Sequence, residues 1–282
     1  MKRILCISGS RADYGLLEWP VKVLREAFEI NLIRLNSANP PQAYEDAYFW
    51  LSGPNAPDCL LILGDRWEIL QCAIAAHLLR VPIAHIGGGD VTLGSYDDAM
   101  RDCISRLATW HFVTSQESYD RLDTDDRSHV YMIGNIAIDY IRHGDWKRGR
   151  PYPTPYVVVN YQPETIDRTI EWDKVLDSVA GRNAIYIMPN RDIDHEIVRA
   201  RIIELGTRHG GVTFEEAFPH GAYLNLIYYC EELIGNSSSM LYEAPELGVK
   251  CRMIGKRQAG RVVPTGDGKA SERIKEILCR CL

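Results

Sequence analysis

A chain of 282 residues, 46% hydrophobic and 25% charged, with 22 Gly and 14 Pro, is neither collagen-like nor disordered nor a small disulfide scaffold. Its length suggests two domains, each large enough to bury its own core. The net charge of −6 divides into −4 over residues 1–150 and −2 over the rest, so neither half has the basic footprint of a non-specific nucleic-acid binder.

The N-terminus enters a short apolar run that charge soon follows, and it does not read as a signal segment. This run predicts a first strand at Arg3–Ser8. Further strands are predicted at Ile30–Leu35, Cys59–Leu63, Val81–Ile86, His111–Thr114 and Val130–Ile133. Helical periodicity fills the intervals at Leu16–Glu26, Gln42–Leu51, Trp67–Leu79, Asp97–Trp110 and Glu117–Leu122. Apolar strands separated by helices predict a parallel sheet covered on both faces, a doubly wound α/β domain.

After Tyr140 the pattern breaks. Residues 145–155 hold a basic cluster and three prolines at alternate positions, which neither a helix nor a central strand accommodates, and they read as an interdomain linker. Strands then resume at Tyr156–Tyr161, Ala184–Met188, Val212–Glu215, Leu233–Ile234 and Cys251–Ile254. Helices are predicted at Trp172–Val179, His195–Arg208 and Glu272–Cys279. The expected fold is α/β, with two Rossmann-like domains at residues 1–144 and 156–282. Ligands of such folds lie at the carboxyl ends of the strands, here in an interdomain crevice.

No apolar stretch approaches the ~20 residues needed to span a bilayer, so no membrane partner is expected. The eight cysteines sit mostly in apolar runs without CxxC pairing, Cys279 and Cys281 lack a second pair, and the histidines are scattered. No metal and no cofactor is expected, and the chain reads as cytoplasmic. Of the histidines, His85 is the one to watch, because it leads into the Gly87–Asp90 cluster.

Several such clusters fall where a strand ends. Ser8-Gly9-Ser10-Arg11 offers backbone N–H groups and a cation to an anion, but a tight turn with a capping serine is the better reading of this segment by itself. In Gly64-Asp65-Arg66-Trp67-Glu68 the aspartate is either a helix cap or a catalytic carboxylate beside a phosphate-binding cation. His85-Ile86-Gly87-Gly88-Gly89-Asp90 lets backbone approach a ligand closely. Asp97-Asp98-x-x-Arg101 opens a helix with two carboxylates, of which capping needs one. Gly235-Asn236-Ser237-Ser238-Ser239, leading into a helix with Glu243, reads as a phosphate cradle, and Gly255-Lys256-Arg257 through Arg261 adds three cations.

Taken in this order, and with Gly266-Asp267-Gly268-Lys269-Ala270-Ser271, these motifs resemble the UDP-N-acetylglucosamine 2-epimerases, in particular the hydrolysing branch of sialic-acid biosynthesis. The resemblance spans nearly the whole chain and implies a two-domain glycosyltransferase-B-type fold and a homo-oligomer. It implies UDP, or a UDP-sugar, as the bound partner between the domains. Ser237, Ser238 and Ser239 would hold the diphosphate, Arg11, Arg66 and Arg257 would face its charge, Glu243 would bind the ribose, and Gln162 and Asn190 would lie nearby. Asp65 and Asp97 match two of the family's acid–base carboxylates, which remove the C2 proton as UDP leaves.

Two departures bear on that chemistry. Where the family has Glu or His after His-Ile, this chain has Gly87, and the family's second-domain His is Gln162. Neither replacement transfers a proton near pH 7. Asp90 is the nearest carboxylate that could stand in. Three readings follow: an epimerase or hydrolase using Asp65, Asp97 and Asp90; a glycosyltransferase that keeps the UDP site and admits another acceptor at Gly87; and a nucleotide-sugar binding protein without catalysis.

Overall fold

The first apolar run forms strand β1 (Arg3–Ser8), whose side chains alternate between two cores. In this computed structural model, which describes residues 1–209, 213–215 and 218–282, Ile4 and Cys6 enter one core and Leu5 and Ile7 the other. A strand apolar on both faces needs helices on both. The chain supplies β2 (Glu29–Arg34), β3 (Cys59–Leu63), β4 (Ile83–Ile86), β5 (Trp110–Val113) and β6 (Val130–Met132). Between them run α1 (Arg11–Leu24), α2 (Pro40–Ser52), α3 (Trp67–Leu78), α4 (Asp98–Leu107) and α5 (Gln116–Arg121), and α6 (Ile136–His143) follows β6. All pairings are parallel, in the order β2-β1-β3-β4-β5-β6. Leu17, Val21 and Leu24 of α1 cover one face, and Ala47, Leu51, Ile69 and Cys72 of α2 and α3 cover the other.

A second parallel sheet has β7 (Val157–Asn160) at its centre. It continues through α7 (Trp172–Val179), β8 (Ala184–Ile187), α8 (His195–His209), β9 (Thr213–Glu215), α9 (His220–Tyr228), β10 (Leu233–Gly235), α10 (Ser239–Tyr242) and β11 (Cys251–Met253). The strand order is β11-β10-β7-β8-β9. The chain ends in α11 (Ala270–Cys281). In each sheet the strand order reverses once, at β1/β3 and at β7/β10, the positions where open α/β sheets receive ligands.

The chain divides into unit 1, residues 1–91, 97–142 and 264–282, and unit 2, residues 92–96 and 143–263. This corrects the expectation that the second domain holds the chain to its end. Ile274, Ile277 and Leu278 of α11 pack with Leu17, Val21 and Leu24 of α1 in the unit 1 core. The helix start is fixed there too. Asp139 of α6 accepts hydrogen bonds from the N–H groups of Ala270 (3.2 Å) and Ser271 (2.6 Å), replacing a cap that Lys269 does not provide. The amphipathic period announces such a helix but not the surface it will cover.

Segment 92–96 also departs from expectation, because it belongs to unit 2. Thr92 Oγ1 accepts from Arg261 Nε (3.1 Å) and Nη2 (2.6 Å), and Leu93 N donates to Ala259 O at 2.9 Å. The proline-rich stretch is itself docked in unit 2: Trp146 is buried against Tyr228, and Asn225 bonds to Arg148 N and Gly149 O. Helices α6 and α9 were not foreseen. Predicted ends otherwise shift by a few residues. Strand β4 starts at Ile83 rather than Val81, because Val81 N bonds back to Ala76 O as α3 unwinds. Of the predicted strand Val212–Glu215, Val212 lies outside the described residues.

Candidate functional site

At the β1/β3 end of unit 1, Ser10 caps α1. Its hydroxyl accepts from Asp13 N (3.1 Å) and donates to Asp13 Oδ2 (2.7 Å), so the capping explanation of this turn holds. Arg11 is the first residue of the helix. Arg66 stands before α3 and grips Glu68 with both ends of its fork, Nε–Oε2 3.1 Å and Nη2–Oε1 3.0 Å. Burial pushes the Glu68 carboxyl up, with the Arg66 charge opposing it. Glu68, to which the sequence assigns no role, thus engages the charge of Arg66, a cation expected to face phosphate.

Asp65 is not a helix cap. Its Oδ2 bonds to Nη2 of Arg101, which is only 2% exposed, while Nη1 of the same arginine bonds to Asp98 and to the Asp90 carbonyl (2.5 Å). The ends of β3 and β4 and the start of α4 thus converge on one guanidinium. Sequence reasoning quoted Arg101 and missed its centrality; the signal was an Asp-x-x-Arg spacing that puts both side chains on one face. Asp97 precedes α4 with a carboxylate that makes no capping bond. Asp90 Oδ1 accepts from the hydroxyls of Thr114 (2.7 Å) and Ser118 (2.6 Å).

His85 is a post in this arrangement. Fully buried, it donates from Nε2 to the Gly64 carbonyl (2.8 Å) and takes the Ser105 hydroxyl at Nδ1 (3.1 Å). Burial lowers its pKa to about 4, against the pull of the Gly64 bond, so the ring is neutral near pH 7. It fixes the turn just before Asp65. The glycines after it serve packing more than ligand access. A side chain at Gly89 would overlap the Ser118 carbonyl, and Gly87 has φ +85°, which L side chains rarely adopt.

At the β7/β10 end of unit 2, amide and hydroxyl groups form a neutral network with charged pairs beside it. Asn236, fully buried, accepts from Gln162 N (2.7 Å) and donates to Gln162 O (2.8 Å). Gln162 Nε2 donates to Asn160 Oδ1 (2.9 Å), and its Oε1 accepts from Asn190 N (2.8 Å), so both ends of this amide are engaged within the protein. Ser239 Oγ bonds to Ser237 Oγ (3.0 Å) and to Tyr223 Oη (2.5 Å). Ser238 begins α10 without a side-chain cap. Glu243 follows α10 as its C-cap instead of lying inside it, and its buried Oε1 is 3.5 Å from His220 Nε2. Arg257 donates to Pro163 O and to Asp192 Oδ2, both at 2.7 Å, so a carboxylate already balances this cation.

Each unit therefore gathers its own predicted residues. Asp65 and Asp90 meet on Arg101, with Asp97 next to the third partner, and Gln162, Asn190, Ser237 and Ser239 share one network. Among the described residues no group of three or more His, Cys, Asp or Glu side chains could hold a metal ion, and no helix is long and apolar enough to cross a membrane.

Residues 51–266 match the profile of the family described as UDP-N-acetylglucosamine 2-epimerase. The chain is 27% identical over 317 aligned positions to polysialic acid biosynthesis protein P7 of Escherichia coli, covering 93% of this chain and 81% of that one. It is 28% identical over 240 positions to the GDP/UDP-N,N'-diacetylbacillosamine 2-epimerase (hydrolyzing) of Campylobacter jejuni, covering 78% and 61%. Among solved structures, the Methanocaldococcus jannaschii UDP-GlcNAc 2-epimerase in complex with UDP-GlcNAc and UDP superposes with a TM-score of 0.80 at 14% identity. That alignment covers 99% of this chain and all of the other, a likeness of fold.

Proposed function

The chain belongs to the UDP-N-acetylglucosamine 2-epimerase family, and we propose that it acts on a UDP-N-acetylhexosamine by C2 proton abstraction with loss of UDP. The observation that carries the chemistry is the convergence of Asp65, Asp98 and the Asp90 carbonyl on buried Arg101. The guanidinium fixes the Asp65 carboxylate in position at the strand end, and a proton acceptor must be positioned before it can act.

In this reading a carboxylate, Asp65 or Asp97, takes the C2 proton. The C–H electron pair forms the C1=C2 bond, and the C1–O bond breaks with its pair leaving on the β-phosphate of UDP. Water then adds at C1, and a proton returns to C2 on the opposite face, giving the free manno-configured sugar. Asp90 stands in for the family carboxylate missing at position 87: its Oδ2 lies 3.6 Å from where a Cβ on Gly87 would be. In unit 2, Ser237 and Ser238 hold the diphosphate, with the Ser239 hydroxyl turned to Ser237, Glu243 holds the ribose, and Arg257 turns to the phosphates from Asp192. Arg11, Arg66 and Asn190 complete the substrate contacts. A cytoplasmic homo-oligomer belongs to the same reading.

Incubation with UDP-N-acetylglucosamine alone, followed by NMR, tests it. UDP and N-acetylmannosamine should appear together. An intact substrate after prolonged incubation with folded protein would overturn the reading.

A further inference from the structure

The polar network of unit 2 contains a chain of hydrogen bonds whose direction is fixed from its two ends. Asn190 N is a backbone donor and has no other role, so Gln162 must present its Oε1 to it, at 2.8 Å. The Gln162 NH2 group then faces Asn160 at 2.9 Å, which requires Asn160 to present its oxygen there. The Asn160 Nδ2 is thereby left to donate to Tyr223 Oη at 3.3 Å. Ser239 Oγ gives its proton to Ser237 Oγ at 3.0 Å, so in its 2.5 Å bond with Tyr223 Oη it accepts the phenol proton. Ser237 Oγ also accepts from Ser239 N at 3.3 Å, so both its lone pairs are used. Its hydroxyl proton is what remains.

We propose that Asn160, Gln162, Tyr223 and Ser239 are positioning residues that aim the Ser237 hydroxyl proton outward as an obligate donor to an anionic oxygen of the ligand. This rests on the reading that unit 2 holds the diphosphate, and it deepens that reading by giving a task to Tyr223, which touches no proposed substrate group. Burial and the neighbouring Glu243 carboxylate raise the Tyr223 pKa, so the phenol keeps the proton that it passes on. The arrangement also gives Gln162 a purpose. An amide accepts at one end and donates at the other, which is what a relay of fixed direction needs at that position.

A double-mutant cycle on the full-length chain decides the matter, read by calorimetry with UDP and with inorganic pyrophosphate and by NMR titration with uridine. Tyr223→Phe keeps the ring and removes the link. It should weaken UDP and pyrophosphate about tenfold, the effect of losing one hydrogen bond to a charged group, and leave uridine unchanged. Ser237→Ala should cost a similar factor, and the double variant should cost no more than Ser237→Ala alone, because both remove the same proton. Ser239→Ala breaks the next link and should reproduce Tyr223→Phe, which guards against a folding defect peculiar to one variant. Additive losses, equal losses for uridine, or unaltered pyrophosphate binding in Tyr223→Phe would each overturn the relay. If the parent binds pyrophosphate but not UDP, the nucleotide reading falls while the cycle still judges the relay. If the parent binds neither, both fall.

Discussion

At the carboxyl end of the unit 1 sheet, two aspartates and a main-chain carbonyl converge on one buried arginine, whereas at the same end of the unit 2 sheet a chain of amides and hydroxyls is bonded head to tail beside the Arg257–Asp192 pair. The two solutions respond differently to damage. Removing one member of a buried charge cluster strands its partners without compensation, and the penalty is large. Removing a neutral link costs less in stability but changes which way the remaining protons point. The first arrangement suits groups that gain and lose protons, the second a ligand whose charge stays fixed.

Arg101→Met should show the largest effect, because it leaves Asp65 and Asp98 facing each other without their common cation. A loss of about 3 kcal/mol, read from the denaturant midpoint, is expected together with loss of turnover. If stability is unchanged, the carboxylates are not held by Arg101 and the contrast between the units fails. Asp65→Asn is gentler on the fold and more specific for chemistry. It should lower kcat by roughly 10²–10⁴ while UDP affinity by calorimetry stays the same. Full activity in both Asp65→Asn and Asp97→Asn would remove proton transfer from these aspartates.

Acid should act on unit 1 through its buried imidazole. The pKa of His85 falls from 6.5 to about 4 on folding, so the unfolded chain binds the extra proton between those values. The stability it contributes is complete above pH 6.5, declines as pH falls below that, and levels off near pH 4, with a total of roughly 3 kcal/mol. His111, whose pKa burial also lowers to about 4, adds in the same window. His85→Gln, measured by urea unfolding at pH 7 and pH 5, should flatten part of that slope, and an unchanged slope would place the acid sensitivity elsewhere. In unit 2, Asn236→Ala should cost about 1–3 kcal/mol with little pH dependence, since it leaves Gln162 N and O unpaired but strands no charge.

Much of this is legible in the sequence itself. Apolar strand runs, their helical intervals and the polar clusters at strand ends predicted two parallel α/β sheets, and the order of motifs predicted the family. The failures were of tertiary origin. Nothing in the period of Ala270–Cys281 says that it packs on α1, and nothing in residues 92–96 says that Arg261 will hold Thr92. The cations misled for a related reason. Arg66 and Arg257 read as free for phosphate because their partners, Glu68 and Asp192, are set by side-chain geometry that a linear sequence does not display. Helix α9 went unseen although it supplies Tyr223 and His220, because its aromatic, weakly periodic sequence resembles a strand as much as a helix.

Gly87 is where the smallest expected effect carries the most information. The family's carboxylate or imidazole is missing there, and a changed acceptor was one explanation. Its φ of +85° offers another, because a glycine is then required by the backbone whatever the ligand. The space is not the obstacle: an added Cβ would meet only Asp90 Oδ2, at an ordinary 3.6 Å. Gly87→Ala should therefore cost about 1–2 kcal/mol from the left-handed conformation alone, with turnover largely kept. Gly87→Glu adds a negative charge beside the carboxylate of Asp90 to the same strain, so it should lower kcat rather than restore anything. The comparison separates the explanations. If alanine is tolerated in stability but abolishes turnover, room for an acceptor was the purpose of the glycine. If alanine costs stability and spares turnover while glutamate reduces it, the backbone demanded the glycine, and Asp90 has taken over the position from three residues downstream.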